Sequence, residues 1–81
     1  MTITDANKPF ADGIARLIDE KGLKQVYVAD KAGYTPQELS DMLRGRRLIK
    51  ASDIPKIAYA LGVTSNEIYA AGAEAVQELV G

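Results

Sequence analysis

The chain contains no cysteine and no histidine. Without cysteine there is no disulfide framework and no thiolate metal site. Without histidine the commonest general base and metal ligand is gone, and Ser-His-Asp or Cys-His nucleophiles go with it. Tryptophan is absent too, and the aromatic share is 6%. No apolar run approaches the roughly 20 residues that a membrane helix requires. The opening stretch Met1–Phe10 carries Asp5, Asn7 and Lys8 where a signal peptide would carry an apolar core. The carboxylates and lysines that remain assemble no recognisable nucleophile, base and oxyanion site. A soluble, cytoplasmic protein is expected, with no catalysis, no cofactor, no metal and no membrane contact.

The 81 residues give room for a single domain, spanning 1–81, whose stability must come from one shared core. Net charge is −1, which by itself speaks against a nucleic-acid binder. The distribution says otherwise. Residues 21–56 carry eight basic and four acidic side chains, a net +4, while residues 1–20 sum to −2 and residues 57–81 to −3. A basic middle between acidic ends can meet phosphates on one face while the ends weaken non-specific binding.

Apolar spacing and punctuation predict an all-α, compact bundle of about five helices, with a core over 9–72 and a tail over 73–81. Phe10, Ile14, Leu17 and Ile18 form one helical stripe. Pro9 suits the first helical position, with Asn7 or Lys8 before it, and Gly22 is a natural stop with Lys21 in the last turn. A short second helix is expected over Leu23–Ala32, with Val26, Ala29 and Val28 inward and Gly33 at its end. Thr35-Pro36-Gln37-Glu38 is the clearest start signal: a cap, a proline at the first helical position, and a glutamate that reaches back. Leu39, Met42 and Leu43 then face inward, and Gly45 ends that helix. The fourth helix carries Ile54, Ile57, Ala58 and Leu61. Pro55 must fall in its first turn, so Ala51 or Ser52 is the cap, with Ser52 chemically better, and Gly62 terminates it. Thr64-Ser65-Asn66-Glu67 repeats the capping pattern and opens a fifth helix through Ala70. Gly72 is expected to interrupt it, leaving Ala73–Val80 as a short C-terminal sixth helix or an ordered tail.

The informative stretch is Gln25–Arg47, within a motif over 24–44. Gln25, Ala29 and Gly33 recur every four residues, followed by Leu39 and Met42. Two helices crossing at about 90–120° through a short turn need a small residue where their backbones meet, which Ala29 supplies. The turn needs a residue at ease with φ > 0, which Gly33 supplies. Leu39 and Met42 provide the inner face of the second helix and leave Pro36, Gln37, Ser40, Asp41 and Arg44 outward.

This ordered set resembles the Cro/C1-type (XRE family) helix-turn-helix of phage and bacterial repressors. Gly22-Leu23-Lys24-Gln25 leads in, Leu43-Arg44-Gly45-Arg46-Arg47 leads out, and Ile57-Ala58-Tyr59-Ala60-Leu61-Gly62-Val63-Thr64 looks like the family's fourth helix and turn. The likeness covers about residues 10–71. Pro36 and Asp41 stand where basic or uncharged polar residues are more frequent, and Leu43 where glutamate is. The resemblance implies that helix 35–43 lies in the major groove with its N-terminal end foremost. Gln37 is then the candidate to read adenine, Arg44 guanine or a phosphate, and Asp41 cytosine unless it orients a neighbouring arginine. Thr35, Pro36 and Ser40 complete the base-reading candidates. Lys24, Gln25, Tyr34, Arg46, Arg47 and Lys50 are the phosphate candidates. Gln25 can instead be a plain first-turn polar residue or a brace for Gln37, and Thr35 and Glu38 serve first as caps. Lys8, Arg16 and Lys31 read as surface charge, and Tyr59 and Tyr69 as partly buried.

One recognition helix covers half a site, so a homodimer on a two-fold symmetric, double-stranded operator is implied, acting as a repressor. Ile68, Tyr69, Val76, Leu79 and Val80 are the candidate interface. Two alternatives stay open: an antitoxin-type DNA binder that masks a protein partner, and an interaction module that has lost DNA affinity.

Overall fold

The structure, a computed structural model, describes residues 3–80, with side chains over 7–76. Helices are the regular elements of the described residues: α1 (Ile3–Glu20), α2 (Gln25–Ala32), α3 (Pro36–Leu43), α4 (Asp53–Leu61) and α5 (Ser65–Val80). Each contributes a wholly buried side chain to one core: Ile14 from α1, Val28 from α2, Leu39 and Met42 from α3, Ile57 from α4 and Ile68 from α5. Burying each of these stabilises the fold by about 1.5–3 kcal/mol. Because every helix shares this one cluster, none has a separate core of its own.

Helix boundaries follow local chemistry where caps are strong. Both expected capping boxes form: Thr35 Oγ1 accepts from the Glu38 amide at 3.1 Å while Glu38 Oε1 accepts from the Thr35 amide at 2.9 Å. Thr64 and Glu67 repeat the exchange at 3.2 and 2.6 Å. Gly33, at φ 88°, closes α2, and the following Tyr34 amide donates to the Ala29 carbonyl at 2.8 Å. This pairing satisfies carbonyls the helix end leaves open and turns the chain sharply into α3.

Five expectations are corrected. Helix α1 starts at Ile3, so Pro9 lies inside it and not at its first position. The turns around Pro9 are held by tertiary contacts. The Asn7 side chain donates to the Ile49 carbonyl and accepts from the Ile49 amide, each at 3.1 Å, clipping α1 to the loop before α4. Lys21 falls just beyond the end of α1 and not in its last turn. Helix α2 begins at Gln25, and Val26 is 62% exposed; Val28, Ala29 and Ala32 form its buried face. Ser52 sits at the start of α4 with helical backbone angles, so its hydroxyl caps nothing. Asp53 Oδ2 instead ties the start of α4 back to the preceding loop by accepting from the Lys50 amide at 2.8 Å.

The fifth correction concerns Gly72, which interrupts nothing: α5 runs unbroken to Val80. Gly72 is buried beneath the Phe10 ring, and a Cβ there would lie 2.9 Å from a ring carbon. Gly13 faces it from α1. A Cβ on Gly13 would lie 2.8 Å from both the Ala71 carbonyl carbon and the Gly72 nitrogen. The two glycines therefore let α1 and α5 cross with backbones nearly touching, a packing role that outweighs their poor helix propensity.

Gly13→Ala is expected to destabilise the fold by about 1–3 kcal/mol, because rigid backbone on α5 must move aside. Gly72→Ala should cost less, since the Phe10 ring can rotate away. Thermal unfolding of both variants tests this; a Gly13→Ala protein melting above wild type would refute the close crossing.

Candidate nucleic-acid interface

The motif's surface is built outward from α3. Leu39 and Met42 are buried beneath it, while Thr35, Pro36, Gln37 and Arg44 are exposed and Ser40 and Asp41 are half-buried. Spacing of three and four residues puts the two sets on opposite faces of an eight-residue helix. Along the outer face, Gln37 Nε2 donates to Asp41 Oδ1 at 2.9 Å. Asp41 is thus bonded to Gln37, and among the described residues no arginine side chain is bonded to it.

Past α3 the chain folds back on the helix end. The Asp41 carbonyl accepts from both the Arg46 amide, at 2.8 Å, and the Arg47 amide, at 3.1 Å. This fixes a basic loop beside the outer face. Arg47 Nη1 pairs with Glu38 Oε2 at 2.6 Å, and its guanidinium lies 6.0 Å from the Tyr34 ring centroid. Glu38 therefore serves the cap with one carboxylate oxygen and Arg47 with the other. The Thr35 amide and then Arg47 hold its carboxyl below the usual range. Arg44, Arg46, Lys24 and Lys50 are exposed, and among the described residues none of their side chains has a carboxylate partner. Lys24 and Gln25 stand at the start of α2.

Beneath the loop lies a buried polar link. Tyr34 is only 8% exposed, and its hydroxyl donates to Asp53 Oδ1 at 2.5 Å. Asp53, itself 6% exposed, accepts from the Lys50 amide through its other oxygen. Burial alone pushes the Asp53 carboxyl up, but the Tyr34 and Lys50 hydrogen bonds with the Arg47 and Lys56 charges bring it below its ordinary value. Burial, then the bond to Asp53, raises the Tyr34 hydroxyl well above its usual range, so it stays a donor. Tyr34 is consequently withdrawn as a phosphate candidate, because its hydroxyl points into the protein.

Comparison with known proteins decides the family. The model of the helix-turn-helix family matches residues 14–68 of this chain. An uncharacterised HTH-type transcriptional regulator, y4dJ from Sinorhizobium fredii, is 39% identical over 64 residues, covering 79% of this chain and 83% of its own. The chain belongs to the helix-turn-helix family. Among solved structures, the restriction-modification controller protein C.AhdI from Aeromonas hydrophila is similar at a TM-score of 0.73 and 26% identity, over 79% of this chain and 97% of that one. The clp gene regulator ClgR from C. glutamicum superposes at a TM-score of 0.79, over 91% of this chain and 92% of that one. At 18% identity that likeness speaks for the fold alone.

In this helix-turn-helix the base-reading candidates lie along α3 and its two ends, with Arg46 and Arg47 held by the Asp41 carbonyl just beyond it. The apolar candidates for an interface separate further. Ile68 is 0% exposed and belongs to the core, so it is withdrawn. Tyr69 and Val76 are exposed, and the Phe10 ring meets Tyr69 edge-on at 5.7 Å. The side chains of Leu79 and Val80 lie outside the described residues. Tyr59, expected to be partly buried, is well exposed beside Tyr27 on the α2–α4 surface. Lys31 is more than plain charge there: Nζ takes part in a 3.1 Å bond to the Tyr27 hydroxyl and lies near both rings.

Sequence reasoning missed Asn7 and Asp53. Their residue types carry no mark of a tertiary partner more than ten positions away. A carboxylate in the first turn of a helix reads as an ordinary solvated end.

Tyr34→Phe should cost about 1.5–3 kcal/mol at neutral pH, the range for a hydrogen bond to a charged group. Asp53 titrates lower in the folded state, so its contribution is whole above its unfolded value near about 4. It is lost as pH falls through the lower folded value. The gap between wild type and Tyr34→Phe in denaturant unfolding should therefore narrow in acid; a gap that widens there would contradict the assigned link.

Proposed function

We propose that this helix-turn-helix protein is a transcriptional regulator, a repressor, that binds double-stranded DNA sequence-specifically as a homodimer in the cytoplasm. In this reading the chain acts as one domain and α3 enters the major groove. The observation that carries it is the two-sidedness of α3. Its apolar residues Leu39 and Met42 are committed to the core, and its polar face, with Gln37, Ser40 and Asp41, turns away from them beside Arg44 and a loop of cations. A major groove admits one α-helix and offers donors and acceptors that such side chains match. Lys24, Gln25, Arg46, Arg47 and Lys50 flank this face and take the phosphates, which set register without reading sequence. The reading is a repressor because repression asks nothing of the protein beyond occupying its operator.

A single α3 spans half a site, so a second copy is needed to read a two-fold operator with half-sites about 34 Å apart. Exposed Tyr69 and Val76 on α5 supply an apolar surface for it, next to a shallow pocket lined by Phe10, Ile54 and Tyr69.

The test is selection of random-sequence duplexes by the purified protein at two salt concentrations. A two-fold motif with steep salt dependence is expected; absence of any enriched motif would sink the reading. Gln37→Ala should flatten the preference at one base pair per half-site, at a cost of about 1–3 kcal/mol. Arg46→Ala should instead weaken binding evenly across sequences and lower the salt slope by about 1. For the dimer, Tyr69→Glu combined with Val76→Glu should shift sedimentation equilibrium toward monomer, and an unchanged profile would place the interface elsewhere.

A further inference from the structure

The Gln37–Asp41 hydrogen bond carries a consequence for base selection. Asp41 is half-buried and four residues along α3 from Gln37, so the two side chains stack on the same outer face. An ionised carboxylate only accepts hydrogen bonds. The end of the Gln37 amide that faces Asp41 must therefore be its NH₂, and the carbonyl must face away. This follows from chemistry alone and agrees with the 2.9 Å contact from Nε2 to Oδ1.

We infer that Asp41 is a positioning residue that fixes the orientation of the Gln37 amide and thereby makes Gln37 select adenine over guanine. This rests on the reading that α3 enters the major groove with Gln37 at a base edge. An unconstrained glutamine amide can rotate by half a turn and present either a donor or an acceptor at a given place. With one N–H held by Asp41, the amide offers the groove its other N–H and its carbonyl oxygen, side by side. Adenine shows an N7 acceptor beside an N6 donor, which that pair matches. Guanine shows two acceptors, N7 and O6, so the Gln37 carbonyl would meet O6 oxygen to oxygen. Turning the amide to relieve that clash would bring its carbonyl against the Asp41 carboxylate. The guanine pairing is thus opposed in both orientations.

The constraint is weak while water competes for both groups, and strengthens once the groove excludes water. Asp41 need not touch DNA for this. Its charge does oppose phosphate binding, but that effect is common to every sequence and leaves base preference alone. An acidic residue on a DNA-facing helix has a use here that offsets its repulsion.

The experiment compares wild type, Gln37→Ala, Asp41→Ala and Asp41→Asn by selection on random duplexes. The adenine-to-guanine ratio is then measured at the base pair that Gln37 governs. Asp41→Ala is expected to lower that ratio about tenfold, within the range of one bidentate contact, with the other positions unchanged and overall affinity raised. Asp41→Asn has the same charge as the alanine variant, and its amide can turn either a carbonyl or an NH₂ toward Gln37, so it fixes neither orientation and should lose the ratio as the alanine variant does. A wild-type ratio in Asp41→Ala overturns the proposal, as does a wild-type ratio in Asp41→Asn. Should wild type select a motif that Gln37→Ala leaves intact, the assignment of Gln37 fails and this inference falls with it. If Gln37→Ala flattens the position while Asp41→Ala does not, the base-reading role stands and only the positioning role is lost.

Discussion

The hydrogen bond from the Tyr34 hydroxyl to Asp53 is the constraint on which the rest of the surface depends. Tyr34 belongs to the turn between α2 and α3, and Asp53 to the first turn of α4. By joining them the bond sets the distance between the turn and the loop that carries the arginines. Asp53 then reaches the Lys50 amide with its second oxygen, so loop, turn and helix start are tied at one buried carboxylate. Such a group is costly to bury alone and stabilising once its lone pairs are used. All its demands are met here: among the described residues, no buried side-chain nitrogen or oxygen lacks a partner.

On the outside of this link, local chemistry is shared between roles. Glu38 completes a capping box and also pairs with Arg47. The cap starts α3 at a defined residue; the pair holds the basic loop against that same start. One carboxylate thereby couples where the helix begins to where a cation is presented. The ion pair is exposed, so its contribution to stability is small. Its consequence is geometric, since Arg47 is kept over the Tyr34 ring and beside α3.

At the opposite side, α1 and α5 cross where Gly13 and Gly72 let backbone meet backbone. That contact is the most extensive between any two helices of the bundle. It carries the N-terminal turns of α1 past Pro9 and toward the loop before α4, where Asn7 clips the Ile49 backbone. The same loop is thus braced from two directions, by Asn7 through the backbone and by Asp53 through Lys50. A small bundle with a limited core thus gains further tertiary links through polar groups, without burying more apolar area.

The sequence by itself determined what depends on nearest neighbours along the chain. Capping boxes at Thr35–Glu38 and Thr64–Glu67, the α2–α3 turn at Gly33 and the buried stripes through Ile14, Leu39, Met42, Ile57 and Leu61 all involve residues within a turn or two of each other. Their geometry is local, so spacing and residue type suffice to read it. The polar outer face of α3 and its basic loop were legible for the same reason. Only the tertiary structure decided which long-range partner each ambiguous residue meets. Gly72 packs where an isolated helix would break, Pro9 lies inside a helix because Asn7 and Phe10 anchor the turns around it, and Val26 turns outward while Ile68 turns in. Tyr34 looked like a surface hydroxyl until Asp53, 19 residues away, was brought beneath it. Free energy at such positions comes from contacts between distant segments, and no local pattern encodes a partner that only folding brings near.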